Sequence, residues 1–305
     1  YGQTGLNLSS GIDVRHRWAD FENYTVSGTY TSAGDQLLCS ASRGYSFAAG
    51  AENGRSNLDP TITEGITTDN VGDVNPLIQF AGFAVGTDDT CQHPKPNLIS
   101  TGNMNWIPKV LPFQIFVVGE LAIIGVPVEA TTMAGRRIRD TVLAQLGSQG
   151  VNTAIIAGLA NTYNGYLTTQ EEFQRPQYEG ASTEYGQFTL AAYLQEFDAL
   201  ASALKNNTSV YDDKQPLDRL SENRNERMGV VWDSKYWWES FGQVKVDANA
   251  SYNEGDSVKV TFRSGHPKNN LRIQDTFLKV QKKVGSNWLT ISNDWDWDTL
   301  YEWRR

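Results

Sequence analysis

The 305-residue sequence predicts an α+β fold, a mixed sheet carrying helices, followed by a smaller antiparallel β domain. Three observations predict it. Two apolar, β-branched runs of strand length precede an amphipathic helix and a third strand, a β-β-α-β order that packs helix on sheet. A second helical stripe starts near Phe188. From about Gln243 the apolar period becomes two.

Taken in order, residues 1–60 are rich in Gly, Ser, Thr and Asn, and the weak alternation from Phe21 to Tyr30 suggests a strand. Residues 51–100 read as a long loop region. Phe113–Val118 and Leu121–Val126 are strands, and Gly119–Glu120 between them suits a two-residue turn with Gly first, a type II′ hairpin. Thr131 or Thr132 provides a helix N-cap. Ile138, Val142 and Leu146 follow at a spacing of four, and Gly147 is the stop signal. Asn152–Ala157 is another short strand. Phe188–Leu204 is a helix whose stripe of Leu190, Leu194, Phe197, Ala201 and Leu204 faces the core. Residues 206–242 are polar, with a mostly charged run at Arg219–Arg227, and form a linker or surface excursion. Val258, Val260 and Phe262 alternate with Lys259, Thr261 and Arg263. Phe277–Val284 and Trp288–Ser292, joined by Gly285-Ser286-Asn287, extend an antiparallel meander. Three or four strands do not complete a sandwich, so this domain, 243–305, reads as cut short.

Composition narrows the function. Hydrophobic residues make up 39% and charged residues 20%, as in a globular protein rather than a disordered one. The net charge of −9 argues against a nucleic-acid partner, which needs a basic face. No stretch reaches the roughly 20 apolar residues that cross a bilayer. The longest candidate, 110–128, is broken by Pro112, Gln114, Gly119, Glu120, Gly125 and Pro127. No signal peptide is present, and a start at Tyr1 rather than Met reads as processing or truncation.

Cys39 and Cys91 are either two buried thiols or one disulfide. Five N-x-S/T sequons, at Asn7, Asn23, Asn206, Asn207 and Asn249, favour a secreted, oxidised protein with a Cys39–Cys91 bridge.

Generic catalytic motifs are missing. His16, His93 and His266 lack the spacing of a local metal site, and there is no G-x-S-x-G elbow, phosphate loop or C-x-x-C. Glu129 lies between a strand and a helix, by the positive end of the helix dipole. That position suits a metal ligand, and equally an ordinary helix-terminal charge. Tyr166 and Tyr178 fall in a loop after the next strand, where sites are common and exposed tyrosines are too.

Five segments carry something more specific: Gly44-Tyr-Ser-Phe-Ala-Ala-Gly50, His93-Pro-Lys-Pro96, Val126-Pro-Val-Glu-Ala-Thr-Thr-Met-Ala-Gly-Arg-Arg137, Tyr166-Leu-Thr-Thr-Gln-Glu-Glu-Phe173 and Tyr178-Glu-Gly-Ala-Ser-Thr-Glu-Tyr-Gly186. In their order and spacing the sequence resembles the neutral (neutral/alkaline) ceramidase family, over its C-terminal portion, from about residue 10 to the end. The resemblance implies a zinc-dependent amide hydrolase that cleaves ceramide to sphingosine and a free fatty acid. It implies a zinc site of two His, one Glu and one Tyr. Glu129 matches the Glu and Tyr166 the Tyr, while Tyr178 matches a tyrosine that can hydrogen-bond the reacting oxygen. Val128 stands where the family usually has Gly. The zinc histidines and the active-site serine belong to segments before Tyr1, and the three histidines present do not match the ligand positions. Gly72-Asp-Val-Asn-Pro76 is close to the family's serine motif, G-D-V-S-P, but has Asn75 in the serine position and comes out of order. It reads as coincidence. In the family the cysteine of the Cys91–His93 stretch is paired, which strengthens the Cys39–Cys91 bridge.

The implied layout is a C-terminal part of the zinc amidase catalytic domain over 1–205, the linker over 206–242, and an incomplete immunoglobulin-like β-sandwich over 243–305. The expected partners are a ceramide or other sphingolipid substrate, the N-terminal part of the same protein, without which the fragment is inactive, and a membrane surface. The expected location is secreted or at the extracellular face of the cell. Trp237, Trp238, Trp288, Trp295, Trp297 and Trp303 read first as core and interdomain residues, and second as lipid contacts. Two rival functions are a non-catalytic secreted lipid- or glycan-binding module and a related zinc amidase acting on other N-acyl lipids.

Overall fold

A computed structural model of the chain describes residues 11–57, 62–70, 90–222, 230, 232–269, 272 and 275–304. Asn7, the Gly72–Pro76 segment and residues 223–227 of the charged run lie outside the described residues. The chain divides into two units, Tyr1–Asp218 and Arg219–Arg305.

The first unit contains strands β1 (Ile12–Asp20), β2 (Thr25–Val26), β3 (Gln36–Leu37), β4 (Arg43–Gly44), β5 (Gly50–Ala51), β6 (Gly54–Arg55), β7 (Asn97–Ile99), β8 (Val110–Val118), β9 (Leu121–Gly125) and β10 (Glu129–Ala130), helix α1 (Thr132–Leu146), strands β11 (Thr153–Ala157) and β12 (Tyr166–Leu167), and helices α2 (Gln170–Phe173), α3 (Tyr178–Ala181) and α4 (Thr189–Asn206). Its main sheet runs β1-β8-β9-β11. The first two pairings are antiparallel and β9–β11 is parallel.

The hairpin β8–β9 turns at Gly119–Glu120, where Val118 pairs with Leu121 and Gly119 has φ 58°, a conformation cheap only for glycine. The Thr131 side chain accepts a hydrogen bond from the Ala134 N–H and so caps α1. Ile138, Val142 and Leu146 are buried, as their spacing requires. Gly147 does not stop the helix by a left-handed turn. Its φ is −56°, the chain runs on through a 3-10 turn at Gly147–Gln149, and Gly150, with φ 89°, makes the left-handed exit.

Helix α4 packs on β1 and β8 and alongside α1. Between them Phe21, Phe113, Tyr185, Tyr193 and Phe197 form an aromatic core. Phe113 lies 4.9 Å from Tyr193 and 5.3 Å from Phe197, centroid to centroid. Of the predicted stripe, Leu190, Phe197, Ala201 and Leu204 are buried and Leu194 is partly so.

The longest N-terminal strand lies ahead of the expected one. Phe21–Tyr30 contains only the two residues of β2, whereas Ile12–Asp20 pairs along its length with β8. The sign of its alternation explains the difference. Ile12 and Val14 are exposed, whereas Arg15 and Arg17 reach α4 and the chain after it. Arg15 Nε donates to the Thr208 carbonyl at 2.9 Å, and Arg17 pairs with Glu196 at 3.4 Å and with Asp213.

Among its described residues the second unit holds two separate antiparallel pairs: β13 (Val244–Val246) with β14 (Thr261–Phe262), and β15 (Lys279–Val284) with β16 (Asn287–Asn293). Val258 and Val260 alternate in sequence without joining a strand, and the ladder expected from Phe277 begins at Lys279. The β15–β16 turn is Gly285–Ser286, since Asn287 already pairs with Val284. Of the tryptophans read first as core and interdomain residues, Trp237, Trp238, Trp288, Trp295 and Trp297 are exposed, Trp297 to 99%, so they are not core within this unit, and Trp303 is half-buried. Among the described residues no helix is long and apolar enough to cross a membrane.

Candidate active site

Glu129 and Tyr166 come together through backbone pairing. β10 and β12 run parallel with Glu129 opposite Tyr166, so both side chains leave the same face. The Glu129 N–H donates to the Gly165 carbonyl at 3.0 Å, and the Thr131 N–H to the Leu167 carbonyl at 2.9 Å. On its other edge the Tyr166 N–H donates to the Ser182 carbonyl at 3.1 Å. Gly165 takes φ 75°, and a Cβ there would lie 2.6 Å from the Ser182 carbonyl oxygen, so only glycine fits.

Tyr166 is therefore a strand residue and Tyr178 the first residue of α3, rather than loop residues. Their rings meet edge to face at 5.4 Å. Phe47 stacks on Tyr178 at 5.9 Å, which gives the 3-10 turn at Tyr45–Ala49 a part in the site. The Tyr178 N–H donates to Glu64 Oε1 at 3.2 Å. A third phenol joins them. The Tyr163 hydroxyl donates to Glu129 Oε1 at 2.8 Å.

Beneath this cluster runs a buried polar network. The Glu184 carboxylate accepts from Arg43 Nε at 2.7 Å and from the Thr101 hydroxyl at 2.6 Å. Lys95, 1% exposed, donates to the carbonyls of Ser42 and Thr183. The Arg43 guanidinium sits 4.7 Å over the Phe47 ring. Cys39 and Cys91 form a disulfide, and the Cys39 N–H donates to the Tyr185 carbonyl at 3.1 Å. The network thus fixes residues 182–186, the edge against which Tyr166 is laid. Thr169 and Glu172 form a capping box on α2, and Glu172 also accepts from the Thr131 hydroxyl, which ties the start of α1 to the same corner.

Burial and, after it, the Glu129 carboxylate push the Tyr163 phenol up to about 12 and the Tyr166 phenol above its usual range. Both are protonated at neutral pH unless a cation is close, and a cation beside Glu129 would reverse the bias on Tyr166. Carboxylate and phenol oxygens in strand register are a chemically suitable pair of metal donors. They supply two positions of a tetrahedral set. Among the described residues no group of three or more His, Cys, Asp or Glu could hold a metal. His16 meets Trp18 edge to face, and His266, in the second unit, lies against Trp303. An open groove of about 650 Å³ is lined by Glu129 together with Arg136, Arg139, Ile155 and Leu159.

Of the sequon asparagines, Asn23, Asn206, Asn207 and Asn249 are exposed. Sequence reasoning did not single out Tyr163, Arg43, Lys95 or Glu184. Lys95 and Glu184 fall within the segments 93–96 and 178–186 that carry the resemblance, whereas nothing in the local spacing marks Tyr163 or Arg43.

Two family models match the chain: neutral/alkaline non-lysosomal ceramidase, N-terminal, over residues 1–195, and the C-terminal model of the same family over 197–305. Neutral ceramidase B of Dictyostelium discoideum is 36% identical over 314 residues, covering 100% of this chain and 43% of the relative. The neutral ceramidase of Pseudomonas aeruginosa is 38% identical over 317 residues, covering 100% and 46%. A solved structure described as ceramidase complexed with C2 matches with TM-score 0.62 at 36% identity, over 97% of this chain and 46% of that one. A crystal structure of the Pseudomonas aeruginosa neutral ceramidase matches with TM-score 0.61 over 97% and 45%. The chain spans less than half the length of these relatives.

Proposed function

The chain belongs to the neutral/alkaline non-lysosomal ceramidase family, and from that premise we propose that it supplies the Glu129–Tyr166 half of a zinc site for hydrolysis of the ceramide amide. The observation that carries this reading is the register of Glu129 opposite Tyr166, with the Tyr178 ring 5.4 Å from Tyr166. Glu129 and Tyr166 would hold the ion, and the remaining donors would come from polypeptide outside these residues. Bound zinc supplies Lewis acidity and a water acidic enough to attack an amide near neutral pH.

The other steps belong to the chain's own groups. Tyr178, held by Phe47 and Glu64, offers a hydroxyl that can follow negative charge as it develops on the amide oxygen. Its value lies in preorganisation, since the donor is in place before the charge forms. The disulfide and the exposed sequon asparagines support a secreted or cell-surface location. Exposed tryptophans in the second unit support contact with a lipid surface. The paired strands with exposed apolar residues in 243–305 are consistent with part of an immunoglobulin-like sandwich completed by further chain.

The test uses the full-length protein and a short-chain ceramide. Chelator-sensitive sphingosine release is expected, abolished in Glu129→Gln. In Tyr178→Phe, kcat should fall about 10²-fold with zinc retained. Full activity in Glu129→Gln would overturn the reading.

A further inference from the structure

The geometry points to Tyr163 as the positioning residue that holds the Glu129 carboxylate in its metal-binding orientation. This rests on the assignment of Glu129 as a metal ligand and goes beyond the residues that resemblance supplies.

A glutamate side chain has three rotatable bonds, and a carboxylate offers about four acceptor positions. Strand register fixes the Glu129 backbone only. The orientation of the carboxylate needs a donor, and the Tyr163 hydroxyl provides one at 2.8 Å on Oε1. The Tyr166 phenol also hydrogen-bonds this carboxylate, and its remaining lone pairs are left for a cation. Ligating carboxylates are commonly held in this way, and the donor is worth 10–100-fold in metal affinity.

Tyr163 is itself held, although the residue is 44% exposed. The chain on one side is tied by Asn161, whose φ is 65° and whose side-chain amide donates to Gln114 Oε1 of β8 at 3.0 Å. On the other side is Asn164, 1% exposed. Its side chain donates to the Pro108 carbonyl at 3.0 Å, and its N–H to the Pro127 carbonyl at 2.8 Å. Pro127 lies two residues before Glu129, so donor and acceptor are fastened to the same short piece of backbone. An ordinary surface tyrosine would have no such pair of anchors. Nor is Tyr163 placed as a ligand in its own right. Tyr166, not Tyr163, stands opposite Glu129 in the strand register.

Zinc affinity of the full-length protein, measured by competition with a chromophoric chelator, separates these roles. Tyr163→Phe removes one hydroxyl and should weaken zinc binding 10–100-fold. The zinc-free form should melt as wild type does, because the lost group is half exposed. Tyr178→Phe should bind zinc as wild type does. Glu129→Gln should lose the site. If Glu129→Gln loses zinc while Tyr163→Phe binds it within twofold of wild type, the positioning role is wrong and the ligand assignment stands. If Glu129→Gln binds zinc as wild type does, the ligand assignment fails and takes the Tyr163 role with it.

Discussion

Glu129 stands directly opposite Tyr166 in a parallel pair of two-residue strands, so one backbone register aims a carboxylate and a phenol from the same face. Beside this pairing Gly165 closes against the Ser182 carbonyl, leaving no room for a Cβ.

That contact makes the first prediction. Gly165→Ala adds a methyl group 2.6 Å from the Ser182 oxygen at a φ of 75°. The strained backbone alone costs roughly 1–3 kcal/mol. Urea unfolding of the full-length protein should show a loss of at least that size, together with weaker zinc binding.

Lys95 is expected to be structural. Its ammonium donates to the Ser42 and Thr183 carbonyls with the side chain buried, and Gly44 leaves the room its stem needs. Lys95→Met keeps the stem and removes the donor. Two buried carbonyls then lose a partner, at about 1–3 kcal/mol each. The unfolding midpoint should fall accordingly. An unchanged midpoint would mean that water replaces the ammonium.

The Cys39–Cys91 bridge joins residues separated by 52 positions. In the chain-entropy model a loop of that size is worth about 4 kcal/mol. The double Cys→Ser variant should lose stability of that order, and Tyr185 and Gly186, which touch the bridge, should exchange amide hydrogen faster.

One pH effect follows from Glu171. Its contact with Arg137, 3.0 Å from each carboxylate oxygen, holds its pKa at about 2, below the ordinary 4.5. A folded-state pKa depressed in this way stabilises the protein above about pH 4.5, and the stabilisation disappears as pH falls toward 2. The carboxylate is largely exposed, so its worth is at most about 1 kcal/mol. Wild type and Glu171→Gln should differ by that much at pH 7, and the gap should narrow by pH 3 and in high salt.

Local rules made part of this fold legible. Thr131 as a cap, Gly119 in a tight turn and the four-residue spacing of Ile138, Val142 and Leu146 each express a short-range constraint. β1 was not legible because its meaning is long-range. Arg15 and Arg17 look like a solvent face until their partners are in place, Glu196 on α4 and Thr208 and Asp213 in the chain after it. The site divides the same way. Glu129, Tyr166 and Tyr178 could be singled out by motif resemblance, but no periodicity places Glu129 against Tyr166. Tyr163 carried no signal, since a tyrosine in an Asn-rich turn looks like any surface residue until Asn161 and Asn164 are seen to anchor it. The tryptophans failed in the other direction. Their crowding suggested core and interdomain residues, yet within the second unit all of them but the half-buried Trp303 are exposed.

The most direct test of the central claim is anomalous diffraction at the zinc edge from crystals of the full-length protein. The account predicts one zinc with a Glu129 carboxylate oxygen and the Tyr166 phenolic oxygen both about 2.0–2.2 Å away. A zinc bound elsewhere, or a site at Glu129 that excludes Tyr166, would contradict it.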